Sequence, residues 1–109
     1  MVFKKRPAME TALRDEIAGL VATELGLSTS DIIRGKKVSP WSVFARQLCY
    51  YLANVECGFT MSSIAAVFDR ERSSIAYGIG QIEDLREAPA FELVIGRMVE
   101  RLAVARARR

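Results

Sequence analysis

The stretch from Thr60 to Leu85 reads TMSSIAAVFDRERSSIAYGIGQIEDL, and its pattern decides the fold. It predicts two helices that are joined by a tight turn. Thr60 is suited to cap a short apolar helix that ends near Phe68, and Asp69 is suited to cap the helix that follows. That second helix carries apolar residues at helical spacing on one face, namely Ile75, Ile79, Ile82 and Leu85. The pattern is the outline of a helix-turn-helix.

The start of the second helix points more clearly to a partner than any other segment. It reads Arg70-Glu71-Arg72-Ser73-Ser74, which supplies guanidinium donors, a carboxylate acceptor and two hydroxyl groups. Such groups contact base edges and phosphates when a helix start enters the major groove. If the isoleucines face the core, Ser73 points outward together with Tyr77, Gly80 and Asp84. We therefore expect double-stranded DNA to bind at this helix start.

The rest of the chain predicts helices as well, so the expected fold class is all-α. Gly26 is placed to end a first helix in a left-handed cap, and Ser28 begins a short helical turn. Ser39 and Pro40 begin a long helix, and another helix follows Pro89. The apolar stripes are Leu13, Ile17, Leu20 and Val21 in the first helix, Phe44, Leu48, Tyr51, Leu52 and Val55 in the long helix, and Phe91, Val94, Ile95, Met98 and Leu102 in the last.

Length and composition indicate one globular domain. The chain has 109 residues, of which 50% are hydrophobic, and its mean hydropathy of +0.12 excludes a disordered tail protein. We expect a single domain over 1–109, with a core at about 9–104 and basic, flexible ends at 1–8 and 105–109. The net charge is +3, and no acidic residue occurs from Ile32 to Val55. That stretch should carry a positive potential, which suits a polyanion.

The sequence lacks several residue patterns that metal binding, nucleotide binding and catalysis require. There is no histidine, and Cys49 and Cys57 lie eight residues apart, so we expect neither a metal site nor a cofactor. We interpret Cys49 as a core residue and Cys57 as an exposed reduced thiol. A phosphate-binding loop and an apolar motif with paired carboxylates are also missing, which argues against an enzyme and against nucleotide binding. Without a signal peptide or an apolar run of membrane-spanning length, we expect a cytoplasmic, nucleoid-associated protein with no membrane contact.

The order of the motifs resembles the carboxy-terminal DNA-binding domain of the bacterial replication initiator DnaA. That domain has a long helix with an Arg-Gln pair, a short helix that ends in Phe, and a signature close to Arg-Asp-His-Thr-Thr-Val. The resemblance covers roughly Leu13 to Val104 and implies a compact helical fold of the DnaA carboxy-terminal, Trp-repressor-like type. The corresponding segments here are Arg46-Gln47, Ile64 to Phe68, and Arg70-Glu71-Arg72-Ser73-Ser74-Ile75.

The resemblance implies that Glu71, Arg72 and Ser73 read bases. Arg72 could grip guanine with its fork or pair with a neighbouring acid at the surface, and the family position favours the base. Glu71 could accept a hydrogen bond from cytosine, although the helix dipole also favours an acid there. Ser73 is either a base contact or an ordinary first-turn serine, and beside Arg72 the contact is favoured.

Phosphate contacts are implied for Arg46, Arg70 and Ser74, although Arg46 could instead be a surface arginine whose stem packs on the helix. The family usually has an Arg-Pro-Arg-Gln run, whereas this chain has Phe44-Ala45 before Arg46, so the family's minor-groove arginine is missing. Lys36 and Lys37 either replace it at the minor groove or backbone, or form a solvated pair. The turn is also one residue shorter, so we expect a target other than the initiator's own box.

Trp41 directly follows Pro40 at the start of the long helix. An aromatic residue there could contact the sugar-phosphate backbone of DNA. Fixing the helix start to the core is the commoner role for such a residue, and we interpret Trp41 as structural.

The functional expectation is a transcription regulator rather than an initiator, because the sequence lacks the phosphate-binding loop of an ATPase. A free-standing DNA reader can mark a promoter, where it excludes the polymerase or recruits a second protein. The chain is similar to stand-alone DnaA-like proteins that act with a sigma-factor-like partner, which implies a partner from the transcription machinery. The alternative is a protein-interaction module that keeps the initiator fold and regulates replication without reading DNA.

Overall fold

The computed structural model describes residues 7–35 and 39–108. Within these ranges the chain forms six α-helices and no strand, which confirms the predicted all-α class. None of the described helices is long and apolar enough to cross a bilayer. The helices are α1 (Pro7–Leu25), α2 (Thr29–Arg34), α3 (Pro40–Tyr51), α4 (Met61–Phe68), α5 (Arg72–Leu85) and α6 (Pro89–Ala107), and a π-helical turn (Leu52–Glu56) continues α3.

Most helices begin and end where the sequence predicts. The side chains of Ser28, Ser39 and Thr60 each accept a hydrogen bond from the backbone N–H three residues later. Pro40 is the first residue of α3, where its missing N–H costs nothing. Gly26 follows α1 with a φ of +72°, as expected for a left-handed cap. The caps predicted at Gly26, Ser28, Ser39 and Thr60 are therefore confirmed.

Asp69 differs from the prediction, because it ends α4 instead of capping α5. Its φ of 55° and ψ of 53° are left-handed, and its backbone N–H donates to the end of α4. Aspartate tolerates this conformation better than most residues with a side chain. The turn needs a left-handed residue to reverse the chain, so the start of α5 moves on and Glu71 takes the cap position without a side-chain hydrogen bond.

The core surrounds α3, which contacts α1, α2 and α5 and is buried on most of its sides. Leu48 and Leu52 are fully buried, as their stripe predicts. Cys49 is also buried, as expected, and Cys57 is a half-buried free thiol rather than an exposed one. Most of the predicted inward residues of α5 and α6 are buried too, namely Ile75, Ile79, Ile82, Ile95, Met98 and Leu102. Leu85 and Val94 are only half-buried, and Phe91 is 36% exposed, contrary to the prediction.

Val55 leaves the core although its spacing predicts that it faces inward. Its side chain is 46% exposed, and it lies in the π-helical turn. A π-helical turn is wider than an α-helical one, so residues after it no longer return to the same face. The amide of Cys57 donates to the carbonyl of Leu52 at 3.2 Å across this turn.

Trp41 does not fix the start of α3 to the core, which contradicts its expected structural role. It is 60% exposed, and its ring meets Phe44 edge-on with the ring centroids 5.9 Å apart. Phe44 meets Phe91 of α6 at the same centroid distance. Phe44, one turn later, already covers the core at this point. Trp41 instead borders an apolar groove of about 260 Å³, together with Pro40 and Leu85.

Polar contacts attach α6 to the other helices. Arg86, just after α5, donates two hydrogen bonds to Glu92, each at 2.7 Å, and one to the Tyr51 hydroxyl at 2.8 Å. Further along α6, Arg101 pairs with Glu24 of α1 at 2.9 Å. Helix α6 continues to Ala107, past the end of the core that the sequence suggested.

The close approach of α5 to α3 gives the first prediction. A Cβ atom added at Gly78 would lie 2.9 Å from Cδ2 of Tyr50 and 3.0 Å from Cγ of Gln47. Because the Tyr50 ring is buried, we expect Gly78→Ala to lower the free energy of unfolding by about 1 to 3 kcal/mol. Gly80→Ala is the matched control, since nothing lies within 4 Å of its added Cβ. There, alanine should stabilise the helix by up to about 1 kcal/mol.

Urea unfolding followed by far-ultraviolet circular dichroism measures both variants. Equal stabilities of the two glycine variants would contradict the close contact.

Candidate nucleic-acid interface

The first turn of α5 is exposed to solvent on its polar side. Glu71, Arg72, Ser73 and Ser74 are all exposed, whereas Ile75 is completely buried. The isoleucines that face the core fix the rotation of α5 about its axis. The structure thus brings the three predicted base-reading residues together at one accessible helix start, although their contact with DNA stays a prediction.

The turn before α5 is anchored by packing and by Arg70. The Phe68 ring meets the Tyr50 ring edge-on at a centroid distance of 5.2 Å. Nη1 of Arg70 donates to the carbonyl oxygens of Phe68 and Asp69 at 3.2 and 3.3 Å. Burial raises the pKa of Tyr50, and the charge of Arg70 opposes this shift. Arg70 therefore spans the turn and places its positive charge between α3 and α5.

Arg46 has a structural role that the sequence did not reveal. It is only 9% exposed, and its guanidinium donates to the carbonyl oxygens of Ile32 at 3.2 Å and Gly35 at 2.9 Å. These bonds connect α3 to the end of α2. Hydrogen bonds of this kind are what allow a charged group to remain buried. The predicted phosphate contact of Arg46 stays a prediction, and it would have to involve a side chain that already supports the fold.

Two neighbouring clefts share Arg46 and Arg70. The first lies between α3 and α5, has a volume of about 440 Å³, and is also bordered by Ser73, Ser74 and Tyr77. None of the described residues that line this cleft carries a carboxylate. Two guanidinium groups without a nearby acid in the lining make the cleft attractive to an anion.

The second cleft has a volume of about 580 Å³ and extends toward Arg14 and Arg34. Nη1 of Arg14 donates to the carbonyl of Val67 at 2.6 Å, and its guanidinium also pairs with Asp15 at 2.8 Å. The position of Arg14 in α1 gave no signal in the sequence, because only the folded chain brings α1 against α4. Asp69 also lines the second cleft, but arginines outnumber it, so together the clefts form a basic surface beside the start of α5.

The opposite end of α5 has the opposite charge. Glu83, Asp84 and Glu87 are exposed there, some three turns beyond Arg72. This distribution of charge favours a polyanion at the start of α5 over one at its end. Lys36 and Lys37, the proposed minor-groove residues, lie outside the described residues, and their assignment stays a prediction.

Comparison with known proteins agrees with this geometry. The family described as bacterial DnaA protein helix-turn-helix matches residues 14–82, which run from α1 through most of α5 and include the exposed helix start. Curated proteins gave no match to the chain. Because the family match covers more than half of the sequence, the chain belongs to the bacterial DnaA helix-turn-helix family, whose fold is that of a double-stranded DNA-binding domain.

Proposed function

We propose that this protein is a sequence-specific double-stranded DNA-binding transcription regulator that acts at promoters. The observation that carries the proposal is the exposed polar start of α5, held by a buried apolar face next to a basic surface. A rigid helix start with one arginine and adjacent hydroxyl groups has the groups that direct base readout requires. The proposal includes no catalytic activity, and it places the protein on the nucleoid in the cytoplasm.

In the proposed complex the start of α5 enters the major groove. The exposed guanidinium of Arg72 can donate two hydrogen bonds to guanine O6 and N7, and Ser73 lies beside it for a base edge or a thymine methyl. Arg70 and Ser74 face the backbone phosphates, which set the orientation of the helix. The acidic end of α5 remains outside the groove, so only the first turns of the helix read sequence.

Transcription would then be regulated either because the bound protein occupies the promoter or because it recruits a second protein. A bound domain can exclude the polymerase, or it can recruit a sigma-factor-like or polymerase-contacting partner. The apolar groove beside Trp41 and Phe91 would remain accessible, because it lies next to Leu85 and about 20 Å along α5 from Arg72. The groove supports the proposal of a protein partner and does not identify that partner.

The same groove is the observation that favours the alternative function, a protein-interaction module that regulates replication without reading DNA. The two functions differ in their response to salt. DNA binding should weaken steeply as salt increases, because phosphate contacts release counterions. Docking through apolar side chains should be much less sensitive to salt.

The test is chromatin immunoprecipitation with sequencing, followed by fluorescence anisotropy titrations of the enriched fragments at several salt concentrations. We expect a shared sequence motif at promoters and an affinity that falls steeply with salt. Enrichment without a common motif, together with salt-independent binding to replication proteins, would favour the alternative function.

The first prediction on DNA binding concerns Arg72. Because its side chain is exposed, Arg72→Ala should retain the fold and cost about 1 to 3 kcal/mol of binding free energy at the specific site. The preference of the protein for particular bases should weaken at one or two base pairs only. Arg97→Ala removes the same charge from α6, where Arg97 is exposed near Glu24, and should leave base preference unchanged. Undiminished affinity and unchanged preference in Arg72→Ala would remove Arg72 from the readout.

The second prediction separates the two roles of Arg46. Arg46→Ala should lower the free energy of unfolding by about 1.5 to 3 kcal/mol, because the charge-assisted bonds to Ile32 and Gly35 are lost. It should also weaken binding to specific and non-specific DNA alike and reduce the salt slope by about one unit.

Arg46→Lys is the matched variant, since lysine keeps the charge and cannot reproduce both backbone bonds. Arg46→Lys should lower the free energy of unfolding and leave the salt dependence of DNA binding unchanged. A loss of affinity confined to one base-pair identity in Arg46→Ala would contradict the phosphate assignment.

A further inference from the structure

Tyr77 is a large residue on α5 and is not among the residues proposed above to contact DNA. It is 64% exposed and lies one helical turn after Ser73 on the outward face of the helix. Ile75 and Ile79, on either side of it in sequence, are both buried. The position of Tyr77 is therefore fixed by the helix, and its side chain is available to a ligand.

Tyr77 also borders the cleft between α3 and α5. The cleft is also lined by Arg46, Arg70, Ser73 and Ser74, which carry guanidinium and hydroxyl groups. Such donors, without a carboxylate among the described lining residues, match the oxygens of a phosphodiester. A phenol hydroxyl adds a neutral donor to this set.

We propose that the Tyr77 phenol donates a hydrogen bond to the DNA backbone phosphate that Arg70 attracts into this cleft. The inference rests on the proposed function, and it makes Tyr77 a residue that positions the helix in the groove and does not read a base. The next outward residue, Gly80, leaves room for the sugar-phosphate chain, because nothing lies within 4 Å of where its Cβ would be. Asp84, one turn further, is exposed and would repel a phosphate.

Three kinds of contact by Tyr77 give different results on substitution. A phenol–phosphate hydrogen bond is lost in Tyr77→Phe and in Tyr77→Ala. A ring that packs on deoxyribose is retained in Tyr77→Phe and lost in Tyr77→Ala. A tyrosine without DNA contact is insensitive to both changes. Because Tyr77→Phe changes one exposed hydroxyl, it should leave folding intact.

The experiment uses the full chain and the duplex that wild type binds most tightly. We expect Tyr77→Phe to weaken binding about ten- to a hundredfold, as for one hydrogen bond to a charged phosphate, on specific and random duplexes alike. The salt slope should not change, since no charge is removed. Leu93→Ala, a change of a 72% exposed side chain on α6, should bind like wild type.

Methylphosphonate substitution at successive phosphates of that duplex completes a double-mutant cycle with Tyr77→Phe. At one phosphate the penalty of Tyr77→Phe should disappear, because its hydrogen-bond partner has already been altered. Wild-type affinity of Tyr77→Phe, or additive penalties at every phosphate, would overturn the inference and leave the proposed function intact. If wild type itself showed no preference among genomic fragments and no salt dependence, the proposed function would fail and this inference with it.

Discussion

The packing of α5 directly against α3 is the constraint on which the rest of the structure depends. Gly78 allows this approach, because a side chain there would meet the Tyr50 ring and the stem of Gln47. The buried isoleucines of α5 then leave only one rotation of the helix that removes them from water. Its polar side faces outward as a consequence, so the accessible helix start follows from core packing.

Arg46 contributes both to the positive charge of the candidate interface and to the stability of the fold. A buried guanidinium is costly unless its N–H groups are satisfied, and here the carbonyl oxygens of Ile32 and Gly35 accept from it. The same charge lies at both basic clefts. The anion-attracting surface is therefore built around a group that α2 and α3 hold in place, which limits the reorganisation that binding would require.

The two ends of α5 differ in chemistry, and this difference divides the surface of the protein. One end presents Arg72 and hydroxyl groups next to basic clefts, and the other presents acids next to the aromatic groove at Phe44 and Phe91. DNA at the first end would not cover the second. Such an arrangement suits the proposed function, in which DNA and a protein partner bind at separate surfaces.

The sequence alone determined what depends on neighbouring residues: the caps at Ser28, Ser39 and Thr60, the apolar stripes, the helix-turn-helix, and the polar residues at the start of α5. Local hydrogen bonding and helical periodicity specify these features without reference to the rest of the chain. Tertiary structure decided the left-handed Asp69, the exposure of Val55 and Trp41, and the burial of Arg46. Each of these features depends on the geometry of a turn or on a partner that is distant in sequence. The burial of a side chain is decided only when the helices pack, because the atoms that exclude water from it come from other helices.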